Sequence, residues 1–393
     1  MGQLLSHRSV VVGGALLAVV LATGCTFYTS CPTGNNNNGT SSGGSSGSAG
    51  TSGLAGGANI PTGKWVNVTS NLKGMDSECG NLSGMSAKPD EDLLIAGVAQ
   101  KGIWGSTDGG MTWAALGTDP SSDQITNRMS TVVYDPADTN RWWEVGTYNN
   151  NGAYETKDDG ATLTGLPDTN HNDLISIDFS DPDRKTMVIG GHEGAMTLRL
   201  SMDGGQTWAD IRNGLPGNTN CTLPLVIDAQ TFLVGCGGYG GGQSGIWRTT
   251  DAGMTWAQVS TSGGFSPPTR AMDNSIYWVG PNGNNVTRSM DDGVTWMDVV
   301  GMGVVAGPAL LELPDGRLAT LGAQYLVISA DRGATWAPVS SALPYPDSNR
   351  ASGVVYSTQQ KAFFIWHSTC GFNGPVPVPD DAIMRYDFDY TTN

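Results

Sequence analysis

Apolar residues in this chain fall in short runs that never reach helical length, and the runs come in sets of four. One set occupies 130–134, 142–147, 152–156 and a run led by Leu163. The next two occupy 174–179, 186–190, 196–201 and 208–211, then 222–227, 232–235, 245–249 and 256–259. Short apolar runs bounded by Gly, Asp and Asn read as strands, so each set predicts a small antiparallel sheet. Between the third and fourth run of each set stands the same eight-residue spelling, Ser/Thr-x-Asp-x-Gly-x-Thr-Trp. It occurs at 106–113, 156–163, 201–208, 249–256, 289–296 and 329–336, with Leu163 in place of the Trp in the second copy. A spacing of about 40 to 50 residues is the period of a four-stranded propeller blade.

The spelling suits a hairpin turn. The carboxylates of Asp108, Asp158, Asp203, Asp251, Asp291 and Asp331 would accept backbone N–H groups within the turn, while the Gly takes a positive φ that a side chain would penalise. The Ser/Thr hydroxyl adds a local bond, and the Trp starts the next strand with a large surface to bury. In these terms the motif is structural. It resembles the Asp-box, or BNR repeat, of sialidases, sortilin-type receptors, certain xyloglucan-degrading hydrolases and a photosystem assembly factor. The resemblance covers about residues 60–393 and implies a β-propeller, whereas function varies widely across those families.

The blade count follows from the two ends of the repeat region. A first blade uses 93–98 and 102–106 before its turn, and after the sixth turn a further set, 353–356, 362–367 and 382–387, has no turn motif. The missing outer strand is available in Lys64-Trp65-Val66-Asn67-Val68, which reads like Thr255-Trp256-Ala257-Gln258-Val259. The expectation is an all-β, seven-bladed β-propeller of four-stranded antiparallel blades, closed by the N-terminal strand so that no edge stays free. Six blades, as in sialidases, is the alternative.

Residues 1–24 read as a signal peptide, with an apolar core at 10–22 too short for a membrane span. The ending Leu21-Ala22-Thr23-Gly24-Cys25 resembles a bacterial lipobox, which implies lipidation of Cys25, and Thr26 favours the outer membrane. An ordinary secretory signal is the alternative. Residues 25–59 are then a lipidated Cys and a Gly/Ser/Asn-rich tether unable to bury a core, and 60–393 are the propeller. This organisation predicts a location on the bacterial cell envelope, facing the periplasm or the exterior.

A net charge of -16 with few Lys and Arg disfavours binding of nucleic acid, which needs clustered cations against phosphates. Besides Cys25 there are Cys31, Cys79, Cys221, Cys236 and Cys370. Cys221 and Cys236 flank a hairpin turning near Asp228, which would set them opposite each other. Cys79 and Cys370 lie in loops that would meet at the closing seam. Export permits both disulfides, with free buried thiols as the alternative.

With all six turns on one face, binding residues are expected on the opposite face. Arg128, Arg270 and Arg350 each stand immediately before an innermost strand, in blades 2, 5 and 7, and could form an anion site at the mouth of the channel, as three arginines do in sialidases; pairing with local acids such as Asp123 or Asp347 is the plainer reading. Asp173, His192, Glu193 and Tyr239 are further candidates on loops of that face. The sialidase Arg-Ile-Pro triplet does not occur, and Ala99-Gln100-Lys101-Gly102 stands where the xyloglucan hydrolases keep a catalytic Asp. Carboxylates such as Asp76, Glu78, Asp173 and Glu193 have no spacing that singles out a hydrolytic pair. His171, His192 and His367 fall on different blades, with no metal-ligand spacing. The reading is a monomeric binding or assembly module, without cofactor or metal, whose partner is a carbohydrate or an envelope protein. The alternative is a glycoside hydrolase of sialidase-like type.

Overall fold

The computed structural model describes residues 63–78, 80–192, 198–217, 219–237, 243–280, 285–299, 310–345, 351–369 and 376–392. Among them all regular structure is strand, apart from the single 3-10 turn Ser70–Leu72. Seven four-stranded antiparallel sheets follow one another along the chain. Blade 1 is Leu82–Ala87, Leu94–Val98, Gly102–Ser106 and Ala114–Ala115. Blade 2 is Arg128–Asp135, Asp138–Thr147, Ala153–Thr156 and Thr164–Gly165. Blade 3 is Asn172–Ile177, Met187–Gly191, Leu198–Ser201 and Ala209–Asp210. Blade 4 is Cys221–Val226, Phe232–Cys236, Gly245–Thr249 and Ala257–Ser260. Blades 5 and 6 start at Thr269–Arg270 and Leu311–Glu312.

Blade 7 is Gly353–Ser357, Ala362–Trp366 and Ile383–Asp387, and its outer strand is Val66–Asn67 from the other end of the domain. Val66 pairs with Arg385 and Asn67 with Met384. The Val68 N–H donates to the Ile383 carbonyl at 3.0 Å, and the Ile383 N–H to Thr69 Oγ1 at 2.9 Å. A second, two-stranded ribbon joins Asp76–Ser77 to Val376–Pro377 across the same seam. The ring is therefore shut by backbone pairing at two places.

The six repeated turns share one bonding scheme. In the first, the Ser106 hydroxyl donates to Asp108 Oδ1 (2.8 Å) and accepts the Gly110 N–H (2.9 Å). Asp108 Oδ1 accepts the Thr112 N–H (2.9 Å), and its Oδ2 accepts the Thr112 O–H (2.7 Å). The same Thr-to-Asp bonds recur at Asp158, Asp203, Asp251, Asp291 and Asp331. The O–H and N–H of Thr207, helped by Ser201, hold the Asp203 carboxyl down to about 2, so it stays ionised at any ordinary pH.

The turn Gly does a second job, because it presses on the sheet before it. A methyl group placed on Gly253 (φ 86°) would come 2.7 Å from Ile211, the closing apolar residue of blade 3. The same construction meets Val299 of blade 5 from Gly333, Leu166 of blade 2 from Gly205 and Leu116 of blade 1 from Gly160. Gly110 meets Val68, so the N-terminal strand supplies the seat for the first turn. The indole N–H groups of Trp113 and Trp256 reinforce this by donating to the Val68 and Ile211 carbonyls, at 3.2 and 2.8 Å. At Leu163 the missing indole is replaced from within the blade: Trp142, fully buried, lies against Gly160 where Trp208 and Trp336 lie against their own turn glycines.

Cys221 and Cys236 face each other in register and form a disulfide, Cα to Cα 4.0 Å. Cys25, Cys31, Cys79 and Cys370 lie outside the described residues. At the hub a cavity of about 440 Å³ is lined by inner strands of blades 2 to 5, among them Thr131, Ser176 and Pro224.

Gly253→Ala is expected to lower unfolding stability by about 2 kcal/mol, combining a side chain at positive φ with overpacking against Ile211. Gly217→Ala, which meets nothing within 4 Å, is expected to leave the urea midpoint within error of the parent, and equal midpoints for the two variants would contradict the seating.

Candidate functional site

Because strands alternate in direction, the first-to-second hairpins share a face with the six turns. The second-to-third loops and the blade connections emerge on the opposite face. There, loops of blades 1, 2 and 3 build one polar cluster. Arg128, the first residue of its strand, donates from Nε to Glu78 Oε1 at 3.0 Å and lays its guanidinium over the Tyr148 ring, 4.4 Å from the centroid. Stacking and ion pairing together fix the Arg in one orientation. The Tyr148 ring meets His171 and His192 edge-on, at centroid distances of 4.4 and 5.5 Å, and the two imidazoles are 4.8 Å apart.

Hydrogen bonds assign the imidazole tautomers. His171 Nδ1 accepts the Tyr148 N–H at 3.1 Å, so that nitrogen carries a lone pair. His192 Nδ1 lies 2.6 Å from Asp173 Oδ1, with both side chains buried, and its N–H donates to the carboxylate. His192 Nε2 is then left to accept from the Tyr148 hydroxyl, 3.4 Å away. Asp173, His192 and Tyr148 thus form a line in which a buried acid orients an imidazole and the imidazole orients a phenol.

The loop carrying the phenol is strained. Tyr148, Asn149 and Asn150 have φ of 54°, 48° and 56°, and His171 has 57°. Consecutive left-handed residues with side chains cost on the order of 1 kcal/mol each. The surroundings offset this: Asn149 donates to Glu78 Oε1 at 2.6 Å, Gln100 to Glu78 Oε2 at 2.9 Å, and Asn150 to the Gln124 carbonyl at 3.0 Å. Glu78 consequently serves three donors at once.

Beneath the loop lies Glu144, fully buried between blades 1 and 2 beside Tyr154, its register partner. Burial pushes its carboxyl up to about 8, against a weaker opposing bond from Asn127 Nδ2 at 3.1 Å. The same Asn127 amide donates to the Asn151 carbonyl at 3.2 Å, which ties the buried acid to the far end of the strained loop. Asn81, Asn127, Asn172 and Asn220 stand at the entry of the inner strands of blades 1 to 4, all buried. This second periodicity, at the spacing of the turns, was open to a reader of the sequence but is masked by the commonness of Asn in loops.

Of the residues singled out in the sequence, Arg128, Asp173 and His192 come together, with Tyr148, His171 and Glu78 joining them. Arg270 does not. It closes its short inner strand rather than preceding it, pairs with Ile276 just before the 271–275 hairpin, and stands on the turn face near Asp292, at 3.4 Å. A guanidinium there cannot share a small anion with Arg128 at the opposite end of its own strand. Asp123 is not the partner of Arg128; its carboxylate accepts the Gly165 N–H at 2.7 Å. His367 packs on Tyr345 in blade 7, away from the other two histidines. Among the described residues no group of His, Cys, Asp and Glu could hold a metal ion. Glu193, Tyr239 and Arg350 lie outside the described residues.

Seven four-stranded blades, with a polar cluster on the face away from the hairpins, define a β-propeller with an ordered surface site. Comparison with known proteins agrees on that class. A family model described as the DUF6242 beta propeller domain matches residues 80–271. A xyloglucanase from Paenibacillus sp is 26% identical over 196 residues, 46% of this chain and 16% of that relative, so the chain spans only a small fraction of its length. Among solved structures, YCF48 bound to D1 peptide superposes with a TM-score of 0.53 at 15% identity, covering 86% of this chain and 100% of that one. The GH74 xyloglucanase from Xanthomonas campestris gives 0.52 at 17%, covering 82% and 55%. The extracellular domain of a one-component system from B. thetaiotaomicron gives 0.55 at 11%, covering 82% and 40%. At these identities the likeness is one of fold.

Glu144 also sets a pH dependence. Its carboxyl titrates at about 8 when folded against an ordinary value of 4.5, so between those values the folded state holds a proton that the unfolded state has released. Stability from this group is full below about pH 4.5, declines as pH rises, and is gone above about pH 8. Urea unfolding of Glu144→Gln is expected to show a flatter slope across that window and a higher midpoint than the parent at about pH 9; parallel curves would contradict it.

Proposed function

We propose that the chain is an exported, lipid-anchored binding module whose loop face recognises a carbohydrate. The six turns act as Asp-box repeats that build the disc and take no part in binding. The observation that carries this reading is the preorganised Arg128, Tyr148, His171, His192 and Asp173 cluster, held in place by a strained loop that the surrounding side chains over-determine. Sugars are recognised by planar polar groups set beside an aromatic ring, and fixing them in advance lowers the entropy lost on binding. The Asn149 and Asn150 amides extend that hydrogen-bonding surface. Xyloglucanases among the similar proteins support a polysaccharide ligand, and the YCF48 complex with a peptide is the counterpart supporting an envelope protein. The sialidase-like hydrolase reading needs an arginine cluster, and Arg270 stands on the face opposite Arg128.

Anchoring rests on the lipobox-like 21–25 and the tether that follows, and would place the disc on the envelope with Cys25 as first mature residue. Mass spectrometry of the mature protein is expected to find an acylated Cys25; an unmodified thiol removes the anchor.

The binding proposal is tested on a glycan array with the full chain and with Tyr148→Ala and Arg128→Ala. Each variant is expected to weaken a captured glycan at least about ten-fold while keeping the parental melting temperature. Capture that survives both substitutions, or turnover of a chromogenic sialoside in place of simple binding, would overturn it.

A further inference from the structure

Among the described residues, every large apolar side chain that is strongly exposed lies on the turn face or its rim, and six of the eight are methionines. Met202 and Met290 occupy the second position of their turns, Met111 and Met254 the sixth. Met272 sits in the 271–275 hairpin of blade 5 and Met297 directly follows Trp296. Their exposures run from 52% for Met202 to 71% for Met254 and Met290. The turn's own bonds are made by its first, third, fifth and seventh residues, so the second and sixth side chains take no part in holding the turn. The contrast with Met85, Met129, Met187 and Met384 is sharp: these are buried, and the last three pack in blade interfaces where a polar sulfoxide could not be solvated.

We propose that these six thioethers are modification sites, forming a sacrificial layer that takes up two-electron oxidants before they reach the core. The sulfur lone pair attacks the oxygen of hypochlorous acid or hydrogen peroxide, the O–Cl or O–O bond breaks, and a sulfoxide forms while chloride and a proton, or water, depart. Sulfur loses the two electrons that the oxidant gains. Oxidation converts a flexible apolar side chain into a polar one, which in a core disrupts packing. At these positions it removes no bond of the fold. At Met202 it replaces a weak acceptor, now bonded by the Thr186 hydroxyl at 3.8 Å, with a stronger one. The layer lies on the face away from the Tyr148 cluster, so its oxidation leaves the proposed binding site untouched.

The test is stepwise addition of hypochlorous acid to the full chain, up to one equivalent per exposed methionine, with sulfoxides located by peptide mass spectrometry and melting followed in parallel. The six exposed sites are expected to convert at least about ten-fold faster than Met85, Met129, Met187 and Met384, with an unchanged melting temperature. A variant with all six changed to Gln, similar in length and polar, separates sacrifice from mere accessibility: at the same dose its core methionines are expected to oxidise and its melting temperature to fall. Any aggregation of that variant is bypassed by the three-site version Met111→Gln, Met254→Gln, Met290→Gln, for which an intermediate gain in core oxidation is expected. Core sites oxidising in step with the exposed six in the parent, or no extra core oxidation in either variant, would overturn the proposal.

Discussion

A glycine with no side chain, pressed on the apolar residue that ends the sheet before it, is the contact on which this ring is built. The turn's Asp and Thr lock the glycine at positive φ, and the lack of a Cβ lets it reach Ile211, Val299, Leu166, Leu116 or Val68. Five blades are thereby indexed to the sheet before them rather than merely packed beside it, and in blade 5 Gly293 presses instead on Leu233 of the second strand of blade 4. Close packing does the rest, as where Trp143 packs with Ile175 and Ile189 between blades 2 and 3. A chain indexed in this way has one problem, the first turn, which needs a seat from a sheet not yet made. Val68 solves it, and the same strand then closes blade 7.

That indexing is also what makes the loop face usable. Arg128 from blade 2, Glu78 from the closing segment and His192 from blade 3 belong to elements far apart in sequence, and their contacts of 3.0 to 4.4 Å around Tyr148 hold only if adjacent blades keep a fixed register. Strain in the 148–150 loop is tolerated because its anchors come from three different elements. On the turn face, the bidentate bridge between Asp135 and Arg184 fastens blade 2 to blade 3 in the same way, with both groups buried. Burial alone would push the Asp135 carboxyl up, but the Arg184 bonds hold it below its usual range.

Much of the fold was legible in the residues. The runs 102–106 and 245–249 are strands Gly102–Ser106 and Gly245–Thr249, most others shift by a residue or two at their ends, and 142–147 extends back to Asp138. The likeness of Trp65-Val66-Asn67-Val68 to Trp256-Ala257-Gln258-Val259 was enough to place the borrowed strand. Arg270 was misread because Pro267 and Pro268 lack the N–H that a ladder needs, which confines the regular strand to Thr269–Arg270 and hides where the inner segment starts. Asp173 and His192 could be named as candidates, but not their hydrogen bond, because it depends on the backbone pairing of His192, just past the second strand, with His171, just ahead of the first. Tyr148 was hidden among loop amides. Glu144 was harder still: it sits between Trp143 and Val145 in an apolar run, and only the register with Tyr154 shows that it points into the blade interface.

Closure by the N-terminal strand is the claim most directly open to measurement. Native-state hydrogen exchange at the Val68 amide, bonded to the Ile383 carbonyl and belonging to a residue 2% exposed, reports whether that strand belongs to the cooperative core. Exchange of Val68 together with central amides such as Ile189, at the free energy of global unfolding, is the expected result. Exchange at the rate of a fraying terminus, while the rest of blade 7 stays protected, would mean that the ring is held shut by something else.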